Sequence, residues 1–356
     1  MMTVTPKERV QMTLCGEFAD KVPFTIYESK LPQCSVERQL RNEGLCIVDR
    51  RHPVVWSRTP NVQTETVSYV DDGIAFTKLI YRTPLGDLET IYRPAGFTSW
   101  CTKKVFTRPE DYKPLLFLIQ DERHVPCYDS FMKAEQEAGE DKILRGGVGS
   151  TPLHQIMIGW MGVETFAIEW ADRRDEVMKL YDAHVENLRK IYPLLADSPC
   201  WSFNFGGNET ADVMGKQRFE QYVVPHYCEA AEVLHKKGKL LGTHLDGNNK
   251  VWAQAVADSP LDYVEAFTPA PDCDMTFLEA REIWKDKVLW INFTSSVHVA
   301  PLEKVKEETR RLLRESAPGV RFIIGITEDV PENRWQENLL AISRVIEEEG
   351  RLPISG

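Results

Sequence analysis

Hydrophobic residues fall into two alternating rhythms along the chain. Short runs rich in β-branched and aromatic residues predict strands over Val22–Tyr27, Leu45–Arg50, Ile143–Val148, Trp201–Phe205, Leu240–His244, Tyr263–Phe267, Val288–Phe293 and Phe322–Ile326. Several are bounded by Gly, Pro or Asp, where strands usually stop. Between them apolar residues recur at three- and four-residue spacing, the period of an amphipathic helix. Arg174–Leu195 carries Val177, Met178, Leu180, Tyr181, His184, Val185, Leu188 and Ile191 on one stripe. Phe219–Lys237, Met275–Lys285, Leu302–Glu315 and Arg334–Glu349 repeat it. Strand–helix alternation implies parallel strands joined by helical crossovers. About eight such strands predict an α/β fold, a closed (β/α)8 TIM barrel.

One segment breaks the rhythm. Ile74–Arg93 reads IAFTKLIYRTPLGDLETIYR, two alternating stretches around Pro84-Leu85-Gly86. It predicts a β-hairpin inserted near the barrel rim, serving as a lid, a docking surface or a structural flap. No repeat, low-complexity tract or linker divides the chain, so a single domain over 1–356 is expected.

Composition narrows the classes. Apolar residues make up 42% of the 356 and charged residues 27%, ordinary for a chain with a large buried core. The net charge of −11 has no basic cluster against it, which disfavours nucleic-acid binding. The start, MMTVTPKERVQMTL, lacks a signal-peptide apolar core, and no run of eighteen apolar residues exists. A cytoplasmic protein with no membrane span is therefore expected. Its eight cysteines include no Cys-x-x-Cys pair and read as free thiols.

In a barrel the chemistry sits where strands end. The polar residues there are Glu28, His154, Asn204, Asn208, Glu209, His244, Asp246, Asn248, Glu265, Asn292, His298, Glu328 and Asp329. His244 and Asp246 lie two apart on extended backbone, so both side chains face one side. An imidazole beside a carboxylate begins a divalent-metal site, which Glu265 and Glu328 from later strands would complete. The alternative is that His244 bonds a neighbouring strand and Asp246 caps a helix. Glu209, after Gly206-Gly207-Asn208, is a candidate general base, ligand or substrate anchor, or else a neighbour of a helix cap. His154 is either catalytic or a packed core histidine. Glu28 either faces the barrel mouth or pairs with Lys30. Most of the nine tryptophans belong to the core, but Trp160 and Trp201 are candidates for an aromatic substrate pocket. Nucleotide-binding loops, nucleophile elbows and His-Glu-x-x-His helices are absent from the sequence.

Four stretches resemble the uroporphyrinogen decarboxylase superfamily, which includes cobamide-dependent methyltransferases. They are Thr5-Pro6-Lys7-Glu8-Arg9-Val10 through Gly16 to Pro23, Gly149-Ser150-Thr151-Pro152 through Met161 to Glu164, Lys237-Gly238-Lys239 through Thr243 to Asn248, and Gly325 to Asn333. True uroporphyrinogen decarboxylases carry an Arg-Gln-x-Gly-Arg loop after the first strand. Here that position reads Thr25-Ile26-Tyr27-Glu28-Ser29-Lys30-Leu31-Pro32, so a polyanionic tetrapyrrole is not the expected substrate.

In the methyltransferase branch zinc is held by a His-x-Cys pair and a later Cys. The resemblance places His244 on the histidine, Asp246 and Glu328 on the two cysteines, and Glu265 near a further carboxylate. Carboxylates in place of thiolates imply a harder, oxygen-activating zinc site. The implied reaction moves a methyl group from a methoxylated, possibly aromatic, or other O- or N-methyl substrate to the cobalt of a corrinoid protein. The catalytic candidates are Glu209, His154 and Asn204. The substrate-binding candidates are Glu28, Asn208, Asn248, Trp160, Trp201 and His298. This chain has no cobalamin-binding Asp-x-His-x-x-Gly stretch, so the corrinoid would sit on a partner. A monomer and a homodimer both fit the resemblance. Two other readings stand beside it: a metal-dependent decarboxylase or lyase on a small carboxylated substrate, and a non-catalytic ligand-binding barrel.

Overall fold

Parallel ladders join the strands predicted from the apolar runs in the computed structural model, which describes residues 4–95 and 98–355. The strands are Phe24–Tyr27, Leu45–Asp49, Lys142–Leu144 with Gly146–Gly149, Ser202–Phe205, Leu240–His244, Tyr263–Phe267, Val288–Asn292 and Phe322–Ile326. The third is broken at Arg145. Its first half pairs with Leu45–Asp49 and its second half with Ser202–Phe205. The Arg145 N–H donates to Asp49 O at 3.0 Å, carrying the ladder across the break. With the broken strand counted once, the ring closes on eight strands as expected.

The barrel interior is filled rather than hollow. Tyr27, Val48, Ile143, Tyr263, Val288, Trp290 and Ile323 pack together there. Val10 and Leu14 of the helix Pro6–Leu14 join the same cluster and cover the end where the strands begin. That helix starts on a capping box: Thr5 Oγ1 accepts from the Glu8 N–H, and the Glu8 carboxylate accepts from the Thr5 N–H. Two contacts of Tyr263 leave no slack. Tyr263 is fully buried and its hydroxyl donates to Phe203 O at 2.6 Å, while its ring lies over Gly242. A Cβ on Gly242 would fall 2.1 Å from that ring.

The helices follow the predicted stripes, with one division. Phe219–Lys237 forms two helices, Lys216–Tyr222 and Val224–His235. Pro225 stands in the first turn of the second, where its missing N–H costs nothing.

The chain divides into two compact units. The barrel unit comprises Met1–Val54, Cys127–Gly149 and Ala196–Gly356, and the second unit Val55–Pro126 and Ser150–Leu195. The predicted hairpin is present in the second unit as strands Ile74–Thr83 and Gly86–Ala95, with Thr83 opposite Gly86. It is the middle of a larger antiparallel sheet flanked by Gln63–Asp71 and Thr98–Lys103. The flanking strands escaped the sequence reading because they are mostly polar and exposed, leaving no apolar run to see. The second unit also holds a π-helix, Gln155–Met161.

All eight cysteines are free. Among the described residues no helix is long and apolar enough to cross a membrane.

The contact at Gly242 makes a test of barrel packing. Gly242→Ala forces the pinned Tyr263 ring to move and should destabilise the fold by about 1–3 kcal/mol in urea unfolding. The same change at Gly238, where nothing lies within 4 Å of the added carbon, meets no packing clash and should cost less, its φ of +67° being the remaining penalty.

Candidate active site

The interior of the barrel turns polar toward the ends of its strands. His244 is the last residue of its strand and lies in register with Glu265 on the next. Glu265 has no exposed surface. A buried carboxylate is costly unless its oxygens are satisfied, and here both are. Oε1 takes the Tyr27 hydroxyl and the Arg145 guanidinium. Oε2 takes Asn204 Nδ2 at 3.1 Å and faces His244 Nδ1 at 3.0 Å. Arg145 is itself buried, 7% exposed, and reaches Glu265 from the break in the third strand. Burial alone would push the Glu265 carboxyl up. The Arg145 charge and the His244 and Tyr27 contacts overcome it and hold the acid down at about 2.

A local irregularity accompanies Glu265. Its pairing with Val288–Asn292 slips between Glu265 and Phe267, and Ala266 takes φ of 61°. A β-bulge with a left-handed alanine costs about 1–3 kcal/mol, and such strain persists only where the surroundings impose it. The bulge leaves Glu265 and Phe267 both fully buried.

His244 stands between two carboxylates. Glu265 holds its Nδ1 side, and Asp246 Oδ2 lies 3.6 Å from Nε2, an electrostatic contact rather than a hydrogen bond. Burial lowers an imidazole pKa, but the two acids outweigh it and raise His244 to about 9. That shift favours the protonated ring at neutral pH, with Nε2 on the side of Asp246. Asp246 Oδ1 and Asn204 Oδ1 are buried acceptors with no hydrogen-bond partner among the described residues.

The remaining sequence candidates divide clearly. Glu209 is fully buried, close to Gly207, and raises the Tyr227 hydroxyl pKa through its charge. Glu28 pairs with Arg50 at 3.2 Å rather than with Lys30, which pairs with Asp329 at 2.7 Å. Asn208, with φ of 65°, and Asn248 are exposed. Trp201 precedes its strand and packs against the core at the opposite end from His244. His298 is buried against Phe293 and Asn338, and burial depresses its pKa to about 4. Its surroundings are those of a neutral core histidine. His154 and Trp160 belong to the second unit, His154 buried and Trp160 half-buried against His184.

The four residues expected to hold zinc do not assemble as a ligand set. Glu328 is exposed beyond its strand, and both Glu265 oxygens are engaged by other groups. Among the described residues no three His, Cys, Asp or Glu side chains form a group able to hold a metal ion. What remains is His244 Nε2 with Asp246, fewer than the three protein ligands typical of catalytic zinc. The arrangement present raises the proton affinity of His244.

Three residues of this cluster were not singled out from sequence: Tyr27, Arg145 and Arg50. Arg50 sits 3.4 Å from the Tyr27 ring centroid, a cation–π contact that holds the phenol over Glu265. Arg145 had a visible signal, a lone cation inside the apolar run Ile143–Val148. A buried arginine needs a buried acid, and that acid is Glu265.

The uroporphyrinogen decarboxylase (URO-D) family model matches residues 98–348, well over half of the chain. The chain belongs to that family. Among solved structures it is similar to a methyltransferase from Methanosarcina mazei, with 13% identity, a TM-score of 0.57, and coverage of 97% of this chain and 98% of that one. A second similarity, to the tandem catalytic modules of the pneumococcal exo-beta-D-N-acetylglucosaminidase StrH, has a TM-score of 0.41 at 11% identity and covers 94% of this chain and 86% of that one. The first supports the fold, and the second is too distant to carry an argument. No curated protein matches the sequence.

Two measurements test this family member's central cluster. Arg145→Met strands the Glu265 carboxylate and should cost about 3–5 kcal/mol in urea unfolding. Adding Glu265→Gln should recover part of that loss; a double variant no more stable than Arg145→Met would refute the pairing. The second is pH dependence. The raised His244 pKa gives stability that is complete below its ordinary 6.5 and lost as pH rises through about 9. The depressed Glu265 pKa gives stability present above its ordinary 4.5 and lost as pH falls through about 2. NMR titration of the His244 ring should show a midpoint near 9, and His244→Gln should flatten the alkaline slope.

Proposed function

We propose that the protein is a methyltransferase that takes a methyl group from a methoxylated, possibly aromatic, or other O- or N-methyl substrate and passes it to the cobalt of a corrinoid held by a separate protein. The observation that carries this reading is the position of His244 between Glu265 and Asp246 where a barrel strand ends, an arrangement that favours its protonated form. An alkoxide, phenolate or amide-like leaving group is poor, and a positioned acid makes it leave. The reduced corrinoid supplies the nucleophile that accepts the methyl group.

This chain's own residues manage the proton and the geometry. The carbon–oxygen bond breaks with its electron pair on oxygen, and His244 Nε2 delivers its proton to that oxygen. The neutral alcohol or phenol departs, and solvent reprotonates the ring. Glu265 keeps the Nδ1–H fixed, so only Nε2 can act, and Arg145 keeps Glu265 charged throughout. Asp246 stabilises the imidazolium before transfer and offers its unpartnered Oδ1 to a donor on the substrate. The family resemblance and the Methanosarcina mazei neighbour support methyl transfer.

The test mixes the protein with cob(I)alamin and a methoxylated aromatic acid. Methylcobalamin and the free phenol should appear in equal amounts, with no carbon dioxide. His244→Ala should reduce the rate by about a hundredfold or more, as loss of a general acid does. Activity should survive a chelator. Loss of activity restored by zinc would give His244 and Asp246 to a metal, and carbon dioxide release without methyl transfer would overturn the proposal.

A further inference from the structure

The second unit contains a cavity of about 340 Å³, within the range of small-ligand pockets. None of its lining residues belongs to the barrel unit, so it is independent of the His244 site and of the reaction proposed there. Its composition is unusual: three aromatic rings and one carboxylate. Tyr81 and Tyr92 come from neighbouring strands of the exposed sheet. The register sets Thr77 opposite Tyr92, Leu79 opposite Thr90 and Tyr81 opposite Leu88, so Tyr81, Thr90 and Tyr92 share one face. Burial and the neighbouring Tyr92 phenol push the Tyr81 pKa up. Trp160 enters from the π-helix Gln155–Met161, a distortion frequent at functional sites. Its ring rests on His184, with centroids 5.2 Å apart, and its carbonyl accepts from the Phe106 N–H at 3.0 Å.

The carboxylate is Glu122, just past the helix Tyr112–Gln120. It is half-buried, and burial pushes its pKa up. Buried Asn187 fixes its orientation, donating from Nδ2 to Glu122 Oε2 at 3.1 Å and to Ile119 O at 2.6 Å. The nearby Lys190 ammonium is held instead by Asn187 Oδ1 at 3.2 Å. No described cation lies within ion-pair distance of Glu122. Lys190 acts on Glu122 only through its charge at a distance. The cavity therefore presents an acid with no direct ion-pair partner beside three aromatic rings, whose faces attract cations electrostatically. A small inorganic ion would lose its hydration shell to a single carboxylate. A large, weakly hydrated organic cation loses little and gains contact with every ring.

We propose that this cavity binds a small methylated ammonium ion, its cationic head against Tyr81, Tyr92 and Trp160 and its charge balanced by Glu122. Calorimetric titration of the full chain with choline chloride, at constant ionic strength, tests it. The control is choline's neutral isostere, in which a tert-butyl group replaces the trimethylammonium head. Choline should bind at least about tenfold more tightly than the isostere, the discrimination that a cation–π site with a countercharge provides. Glu122→Gln and Trp160→Leu should each weaken choline binding about tenfold, while Tyr92→Phe, which keeps the ring, should leave it unchanged. Circular dichroism checks folding; if Trp160→Leu fails to fold, Glu122→Gln decides alone. Equal affinity for choline and the isostere, undiminished binding by Glu122→Gln, or no choline binding at millimolar concentration would overturn the proposal.

Discussion

The buried ion pair between Arg145 and Glu265 is the constraint on which the candidate site depends. Neither charge tolerates the interior alone, and Glu265 is the acid that faces Arg145, with His244 on its other oxygen. The pair spans the barrel lumen, from the break in the third strand to the bulge in the sixth. Both irregularities have the same consequence: they let a long polar side chain enter a space otherwise filled by Tyr263, Trp290 and Val288. Once Glu265 is held ionised, the arrangement around it follows. Tyr27 can only donate to it, Asn204 must turn its amide toward it, and His244 is favoured as a cation. Such a pair contributes less to net stability than to uniqueness, because every alternative packing leaves a charge unmatched.

That constraint also selects the chemistry. A histidine fixed through Nδ1 by a buried carboxylate has one nitrogen left to work with. The same outer carboxylate serves zinc-bound histidines in many proteins, so the motif alone does not choose between metal and proton. The choice falls on the donor count at Nε2. Asp246 stands there, Glu265 is committed elsewhere, and Glu328 lies exposed. Asp246 and Glu265 both raise the basicity of His244. Membership in the uroporphyrinogen decarboxylase family fits a barrel that concentrates charge at one end. The loop after the first strand nevertheless carries Glu28 locked to Arg50, which leaves no free arginine there for a polyanionic substrate.

The second unit follows a different logic. Its sheet is largely polar and exposed on the strands that flank the hairpin, so it depends on pairing more than on a core. Three of its half-buried aromatic residues, Tyr81, Tyr92 and Trp160, line one cavity. Trp160 lines that cavity, whereas Trp201 packs against the barrel core.

The barrel was legible in the sequence because its signal is local. Each strand is an apolar run closed by turn residues, each helix a stripe of fixed period, and eight repetitions leave few topologies. His244, Asp246 and Glu265 were legible for the same reason: strand ends are readable, and barrels keep their chemistry there. The tertiary structure alone decided which of the strand-end residues meet. Arg145 looked like one residue of a strand until the ladder broke at it, and Tyr27 looked like the end of an apolar run. His298 and Trp201 carried the right chemistry at plausible positions, yet packing turned both into the core. Contact across a barrel depends on stagger, bulges and side-chain direction summed over several strands, and none of these is encoded in a single segment. The sequence by itself determined the fold and the residues available for chemistry; the folded barrel decided that a buried arginine would fix one carboxylate, and through it the state of His244.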